Sequence, residues 1–348
     1  MKTARWTLFA SVVIAGVLTF GALGSGAGAA RRAQSTSKAK GPLIAFSALG
    51  AACGNVCVGL EKSIFAALKA EGYTNYLKLD NNLDPTKIIA NAHTVVARHA
   101  ALYIDTDGGI TNYKVTLALM KKAHIPLFLI FGGPPPGSPP NVSWTNADKA
   151  TAGKVTGKYA AAYAKAHWGG KVDGLFATWL SSWSTSDKQV LFKFFPALNQ
   201  ALGTNYSMTS GTTLVNFQGQ AAPIQAATTA FLNAHPGQHR LIFFASTNDT
   251  DAVAINTALV QAGRIGDGII YSVGTAAEGV KLLCADPSSS AMQGDMNWNI
   301  QNWGKPIVRV VKLMLAKKPF PRIIFPPISM VTRSAVKSLF DCNTGLPK

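Results

Sequence analysis

The feature that most constrains the fold of this chain is an alternation of short apolar runs with segments of helical spacing, which occurs twice. In the first series the runs PLIAFSA, NYLKLD, AALYIDT and PLFLIFG alternate with such segments. A break rich in proline and glycine, GGPPPGSPPNVSW, precedes a second series that includes DGLFATW, RLIFFAS and DGIIYSV. Repeated strand–helix units predict a parallel sheet with helices on both faces. Two such series predict an α/β protein with two doubly wound, Rossmann-like lobes.

Two lobes of this kind place the binding region between them. Ligands of doubly wound sheets bind at the carboxyl ends of the strands, so two facing lobes form a cleft. The chain has 348 residues, which suffices for two lobes. Apolar residues make up 48% and charged residues 14%, against about 25% charged residues in ordinary globular domains. This composition indicates well-filled cores and excludes a disordered chain.

Residues 1–30 have the pattern of a secretory signal peptide, and a polar linker follows at 31–42. Lys2 and Arg5 precede an apolar stretch, and an A-x-A cleavage site ends at Ala29. An uncleaved anchor helix is the alternative, because the apolar stretch approaches membrane-spanning length. The segment contains no cysteine for lipid attachment. We therefore expect an exported protein that is periplasmic or extracellular.

The charge balance is basic, with 33 Lys and Arg against 16 Asp and Glu and a formal net charge of +17. The basic residues are scattered, and neither a basic stripe interleaved with aromatic residues nor a helix-turn-helix pattern occurs. Nucleic acid is therefore not an expected partner. Few acids rather than many bases produce the imbalance, which favours adaptation to an envelope milieu. A monomer is expected.

Four cysteines in an exported protein indicate two disulfides, for which three pairings exist. Closure of the shortest ring favours Cys53–Cys57, which leaves Cys284 with Cys342. A redox pair usually has the spacing C-x-x-C, which is one residue shorter than the spacing here. A metal site would need further ligands, and no histidine lies near the first pair.

Common catalytic patterns are missing from the sequence. It contains neither G-x-G-x-x-G between the first strand and helix, nor a Walker A lysine, nor G-x-S-x-G. His235, in AHPGQH, is interpreted as the end of a helix. We therefore expect no enzymatic activity, no cofactor and no metal.

Residues 231–283 contain an ordered series of motifs. The stretch has a helix that ends in a His-Pro turn, an apolar strand, Asn-Asp, a small-residue helix that ends in Ala-Gly, and another strand. This order resembles the type I periplasmic binding proteins, in particular the ribose/rhamnose/autoinducer-2 branch that serves ABC importers. AALYIDTDGGITNYKVTLALMKKAHIPLFLIFG and MNWNIQNWGKPIVRVVKLMLAKKPFP are similar to further family segments. The resemblance covers residues 43–336.

The resemblance implies two lobes that are joined by a three-segment hinge and close on a ligand. The crossings are expected near 142–147, 296–300 and 326–330. The lobes are expected to comprise 43–144 with 298–326, and 145–297 with 327–348. Cys284 and Cys342 would then share one lobe, which supports their pairing.

The resemblance also implies a function. The protein is expected to capture a small molecule, sugar-like or less polar and partly aromatic or cyclic, and to deliver it to the permease of an ABC importer. The alternative is a ligand-sensing receptor domain in the envelope that signals to a membrane kinase or chemoreceptor.

Several polar and aromatic residues are predicted to line the cleft. Asn248 and Asp249 match the Asn-Asp of the family, whose Asn reaches the ligand. Asn248 is also a candidate helix cap, and Asp249 is expected to cap the helix or to help close the lobes. Trp298 falls at the second crossing, with a core position as the alternative. Asp105 and Asp107 follow a strand at the cleft edge, where turn capping is the alternative.

Departures from the family pattern make the predicted pocket more aromatic and less charged. Sugar binders carry Asp-Arg where this chain has Phe131-Gly132, and G-F-D-G where residues 272–275 read SVGT. Trp179 and Trp183 follow a strand at the cleft. Aromatic faces cover the C–H surface of a ligand, so a modified or partly deoxygenated sugar, a cyclic diol or an aromatic compound is expected.

The loop after the first strand completes the predicted site. We expect the Cys53–Cys57 disulfide to stiffen this loop and to hold Asn55, the polar side chain at its tip, toward the ligand. A ring this short gains little from chain entropy, so the disulfide would fix shape more than stability.

Overall fold

The two series of strands build two separate sheets. The structure, a computed structural model, describes residues 41–49, 54–82, 84–106, 113–131, 139–179, 185–216 and 220–348. These residues all belong to one compact unit, Lys40–Lys348. The described strands, in chain order, are β1 (Ile44–Ala48), β2 (Tyr76–Asp80), β3 (Leu102–Asp105), β4 (Leu127–Ile130), β5 (Val142–Thr145), β6 (Gly174–Trp179), β7 (Thr212–Asn216), β8 (Leu241–Ala245), β9 (Gly268–Gly274), β10 (Met292–Asn297), β11 (Ile323–Ile324) and β12 (Ser329–Thr332).

Helices connect most of these strands. The described helices, in chain order, are α1 (Gly54–Ala70), α2 (Pro85–Ala97), α3 (Tyr113–Ala123), α4 (Lys149–Trp168), α5 (Thr185–Leu202), α6 (Ala221–Ala234), α7 (Asp249–Gln261), α8 (Ala277–Cys284), α9 (Gly304–Leu315) and α10 (Val336–Leu339). None of the helices in these ranges is long and apolar enough to span a bilayer.

Each sheet has six described strands, in the orders β11-β5-β4-β3-β1-β2 and β12-β10-β9-β8-β6-β7. Described neighbours pair in parallel except β12, which is antiparallel to β10. The chain passes from one sheet to the other between β5 and α4, between β10 and α9, and between β11 and β12. The structure therefore confirms the predicted pair of doubly wound lobes joined by three segments. The lobe boundaries given above stay a prediction.

The central strands are apolar because both of their faces are covered. All residues of β1 (IAFSA) and of β8 (LIFFA) are buried, as is usual for strands of a parallel sheet between two helical layers. In each lobe one pair of helices packs closely at a glycine. A Cβ at Gly304 of α9 would lie 2.1 Å from the backbone oxygen of Ser63 in α1. A Cβ at Gly153 of α4 would lie 1.9 Å from the backbone oxygen of Val190 in α5.

Two expectations about the cysteine-bearing segments have different outcomes. Cys284 at the end of α8 is joined to Cys342 by a disulfide, which ties the C-terminal segment to this lobe. Cys53 lies outside the described residues, so its pairing with Cys57 stays a prediction. Asn55 and Cys57 belong to the first turns of α1, because this helix already begins at Gly54. The predicted position of Asn55 at a loop tip is therefore wrong.

Candidate functional site

The carboxyl ends of the first sheet's strands bring several polar residues to one edge. Asp105, the last residue of β3, is level with Ser47 of β1 and is buried. Thr106 follows it, and both its N–H and its Oγ1 donate to the backbone oxygen of Ser47, at 3.1 and 2.6 Å. Asn81 and Asn91 donate to the hydroxyl of Ser47, at 3.3 and 3.1 Å. Ser47 thus fixes the segments that follow β2 and β3 at this edge.

The corresponding edge of the second sheet carries an aromatic ring and an amide. Trp179, the last residue of β6, is half-buried and level with Asn216 of β7. The Nζ of Lys188 lies 5.6 Å from the centre of the Trp179 ring. Asn248 follows β8, is exposed, and caps α7 by accepting the Asp251 N–H at 3.3 Å. The capping role considered for Asn248 is thus present, and its exposed amide leaves room for a ligand contact.

Aromatic residues surround the second crossing, where the two edges approach each other. Trp298 is 8% exposed, and the Nζ of Lys149 lies 4.3 Å from the centre of its ring. The indole N–H of Trp303 donates to the Trp298 backbone oxygen at 2.7 Å. The ring of Phe131, which follows β4, lies 5.7 Å from that of Trp303. Since residues 146–148 alone separate β5 from α4, the edge of the first sheet lies directly beside the second lobe.

The structure describes part of the predicted site. Asp105 and Phe131 lie at the edge of the first sheet, Trp179 and Asn248 at the edge of the second, and Trp298 directly after β10, at the second crossing. Asp107 and Trp183 lie outside the described residues, as does the side chain of Asn55. Contact of any of these residues with a ligand stays a prediction.

A buried carboxyl group supports the loop that carries Asn248. Asp251 accepts hydrogen bonds from the hydroxyls of Thr178, in β6, and Thr247. Thr178 also accepts the N–H of Ser246 at 3.0 Å, so one hydroxyl links β6, the end of β8 and α7. Burial raises the pKa of Asp251 to about 6, although the threonine hydroxyls act in the opposite direction.

Asp249 does not cap α7, contrary to one of its two expected roles. Its carboxylate accepts the Ser272 hydroxyl and the Ala276 N–H, each at 2.5 Å, and so fastens the connection between β9 and α8. The carboxyl group of Asp295, on β10, lies beside that of Asp249, because a Cβ at Gly279 would lie 2.6 Å from Oδ2 of Asp295 and 2.7 Å from Oδ2 of Asp249. Burial raises the pKa of Asp249 to about 6. Burial and the charge of Asp249 hold the pKa of Asp295 well above its usual range.

Sequence reasoning missed Asp295 and Asp251. A signal for Asp295 exists in MQGDMNWN, where an acid interrupts a strand that the fold covers on both faces, because buried acids are rare unless partnered. The sequence does not reveal that Ser272 and Asp295 are paired on neighbouring strands. This pairing brings both side chains to the same face of the sheet.

Two other features of the described residues do not form the site. A groove of about 680 Å³ runs between α1 and α9, bordered by residues such as Ala66, Ala70, Lys305 and Arg309. It lies along the helices and not at the strand ends. The described residues contain no group of three His, Cys, Asp or Glu that could hold a metal ion.

Two doubly wound sheets, joined by three segments and with polar and aromatic residues at adjoining edges, define a two-lobe solute-binding protein. The chain belongs to the periplasmic binding protein domain family, whose model matches residues 44–319. The expected resemblance to type I periplasmic binding proteins is thereby confirmed. Proteins of this family are periplasmic binders of solutes and are generally not enzymes.

Solved structures share the fold at low sequence identity. An ABC sugar transporter subunit from Rhodobacter sphaeroides is 18% identical with a TM-score of 0.62, and the alignment covers 84% of this chain and 98% of that one. An ABC transporter solute-binding protein from Mycobacterium smegmatis with bound glycerol is 17% identical (TM-score 0.66; 86% and 97% covered). A 5-methylthioribose transporter solute-binding protein from Thermotoga lettingae, in complex with 5-methylthioribose, is 13% identical (TM-score 0.65; 85% and 87% covered). A search of curated protein sequences found no relative.

Proposed function

We propose that this protein is an exported receptor that captures a sugar-like or less polar cyclic solute between its lobes and delivers it to an ABC importer. The observation that carries the proposal is the pairing of an aromatic ring and an exposed amide, Trp179 and Asn248, on one edge with a buried acid, Asp105, on the other. A ring can cover the C–H face of a cyclic solute while amide and carboxylate groups bind its hydroxyls. Family membership supports the solute-binding role.

The ligand class is supported by the way the acids of the second edge are used. Asp249 and Asp251 are buried and bonded within the protein, and the described cation Lys188 lies over the Trp179 ring. A ligand that needs few charged partners suits such an edge. The Thermotoga lettingae protein with a similar fold holds 5-methylthioribose, a sugar with an apolar substituent.

A thermal-shift panel tests the proposal. The purified protein is heated with glycerol, allitol, 5-methylthioribose, ribose and glucose, and solutes that co-purify are released by denaturation and identified by mass spectrometry. We expect 5-methylthioribose or a comparably apolar cyclic solute to raise the melting temperature more than ribose or glucose. Stronger stabilisation by plain sugars contradicts the ligand class, and the absence of any stabilising or co-purified solute contradicts solute capture.

A pair of variants separates ligand contact from helix capping at Asn248. Asn248→Ser keeps a capping oxygen but removes the amide. We expect it to weaken solute binding at nearly unchanged stability, whereas Asn233→Ala, at an exposed position of α6, changes neither. Delivery to an importer requires that deletion of the gene abolishes uptake of the labelled solute. Unchanged uptake with a lost response to the solute favours the sensor alternative.

Export through residues 1–30 is part of the same proposal. The mass of the protein isolated from the envelope is expected to correspond to cleavage after the A-x-A site at Ala29. The mass of the full chain would instead show that the apolar segment remains as an anchor.

A further inference from the structure

Two carboxyl groups are in contact inside the second lobe. Asp249 is 1% and Asp295 0% exposed. A Cβ at Gly279 would lie 2.5 Å from Cγ of Asp249 and 2.6 Å from Oδ2 of Asp295, so both carboxyl groups lie against the same glycine of α8. Neither group carries an N–H, so a hydrogen bond between them requires a proton. Two carboxylates in one dry site repel each other, so one of them keeps its proton to a higher pH than an isolated acid does.

The donors around the pair determine which group keeps the proton. Asp249 already accepts the Ser272 hydroxyl and the Ala276 N–H, which favour its charged form. The carboxyl oxygens of Asp295 accept no hydrogen bond from the described residues, so we expect the proton on Asp295 and not on Asp249. Among the described residues, no lysine, arginine or histidine forms an ion pair with either carboxyl group.

The charged neighbours of the pair do not compensate a second negative charge. The negative charge of Glu278, an exposed residue of α8, raises the pKa of both carboxyl groups. Asp251, farther along α7, is bonded to two threonine hydroxyls. Arg333, beside β10, donates instead to four backbone oxygens that run from α8 to the first residue of β10, namely those of Leu282, Ala285, Ser290 and Met292.

The pair holds the loop that connects β9 to α8. Gly274 and Thr275 have φ values of 145° and 58°, a conformation that costs energy for threonine and needs support from its surroundings. The Ala276 N–H bonded to Asp249 supplies that support. The loop faces Gly59 of α1 and Gln301 across a cavity of about 110 Å³, so it lies where the two lobes meet.

We propose that Asp249 and Asp295 are positioning residues whose shared proton holds the Gly274–Ala276 loop against the first lobe, so that solute capture weakens when the pair loses this proton at alkaline pH. The effect on capture rests on the proposed function, whereas the hold on the loop does not. The loop acts by its position where the lobes meet and not by contact with the ligand.

Hydrogen exchange of the loop at several pH values tests the proposal without a ligand. Exchange of the 274–277 amides is followed by mass spectrometry between pH 6 and 9 and corrected for intrinsic base catalysis. An open loop releases the proton that the closed pair binds, so protection is expected to fall by up to about tenfold per pH unit in the wild type. In Asp295→Asn the amide donates to Asp249 at every pH, and protection is expected to stay constant. The control Asp286→Asn removes an exposed acid of the same lobe and is expected to follow the wild type.

The same fall in wild type and Asp295→Asn, or no fall in the wild type, overturns the proposal. If Asp295→Asn does not fold, infrared spectroscopy of the wild type decides. A protonated carboxyl band at pH 8 supports the shared proton, and its absence overturns it. The solute arm measures the affinity of glycerol, allitol and 5-methylthioribose at pH 6 and 9. If none of these solutes binds, the proposed function is contradicted but the role of the carboxyl pair is not. If the protection of the 274–277 amides does not change with pH, the role of the carboxyl pair is contradicted but the proposed function is not.

Discussion

Thr178 joins three segments of the second lobe through one hydroxyl group. This buried residue of β6 donates to the carboxylate of Asp251 and accepts the N–H of Ser246 at 3.0 Å. Valine has the same shape but lacks the hydroxyl, so Thr178→Val removes both hydrogen bonds without opening a cavity. The variant isolates the polar links beneath the loop that presents Asn248.

The expected loss of stability follows from the two hydrogen bonds that the variant removes. A hydrogen bond to a charged group contributes about 1.5–3 kcal/mol, and a buried N–H left unsatisfied costs about 1–3 kcal/mol. Asp251 keeps its bond from Thr247. We therefore expect Thr178→Val to lower the free energy of unfolding by roughly 2.5–6 kcal/mol, a large part of the total stability of a domain.

Thr228→Val is the matched control, measured by urea unfolding at pH 7.5. Thr228 is also fully buried, but its hydroxyl donates only to the Ile224 oxygen one turn earlier in α6. The Ile224 oxygen still accepts its hydrogen bond within the helix. Thr228→Val is therefore expected to lower the free energy of unfolding by less than about 1 kcal/mol. Equal stabilities of the two variants, within about 1 kcal/mol, would refute the assignment of Thr178 as a polar link.

The pH dependence gives the prediction a second readout. Burial raises the pKa of Asp251 to about 6, while the Thr178 and Thr247 hydroxyls lower it. Without Thr178 the folded-state pKa rises further. A carboxyl group whose pKa is higher in the folded state binds its proton better there, so its contribution to stability is lost as pH rises through that pKa. The difference in free energy of unfolding between wild type and Thr178→Val is therefore expected to increase from pH 5 to pH 8. A constant difference would contradict the role of Asp251.

Three further predictions concern the framework around the site. Gly153→Ala is expected to lower the free energy of unfolding by roughly 1–3 kcal/mol or more, because the new Cβ meets a carbonyl oxygen of α5. In the control Gly59→Ala the new Cβ has no atom within 4 Å, so this variant is expected to raise the free energy of unfolding by about 0.5–1 kcal/mol. Similar melting temperatures of the two variants would contradict this packing. Replacing both Cys284 and Cys342 with serine, which opens a link with a sequence separation of 58, is expected to cost about 2–5 kcal/mol in urea unfolding, and an unchanged midpoint would show that the link is dispensable. Arg333→Lys loses most of four hydrogen bonds to backbone oxygens and is expected to lower stability by roughly 2 kcal/mol, which a wild-type unfolding curve would exclude.

The fold could be predicted from the sequence because its determinants are local. Buried parallel strands leave continuous apolar runs such as LIFFA in β8, and turns and helix caps separate them. The start of α1 was placed too late for a physical reason. Gly54 and Asn55 read as loop residues, whereas burial of Cys57 and Leu60 in the core extends the helix over them.

The support beneath the site could not be predicted, because it depends on register between distant segments. Asp249 and Asp295 meet only because β9 and β10 align Ser272 with Asp295. Thr178 reaches Asp251 only because β6 and β8 are neighbours. An Asn-Asp pair before a helix indicates a cap, and here Asn248 takes that role while the acid turns inward. Sequence patterns thus indicated the strand ends that carry the site but not the contacts that hold them.

The distribution of acids explains how this lobe can keep negative charge away from its edge. Asp249, Asp251 and Asp295 all lie beneath the strand ends, where hydroxyl and N–H groups and a shared proton replace cations as partners. A buried acid with such partners fixes a loop without exposing its charge to the cleft. Trp179 and Asn248, which lie at the edge, have side chains suited to C–H faces and hydroxyl groups and not to charged groups. These buried acids thus act on the protein's own loops, which is the physical basis for the proposed less polar solute.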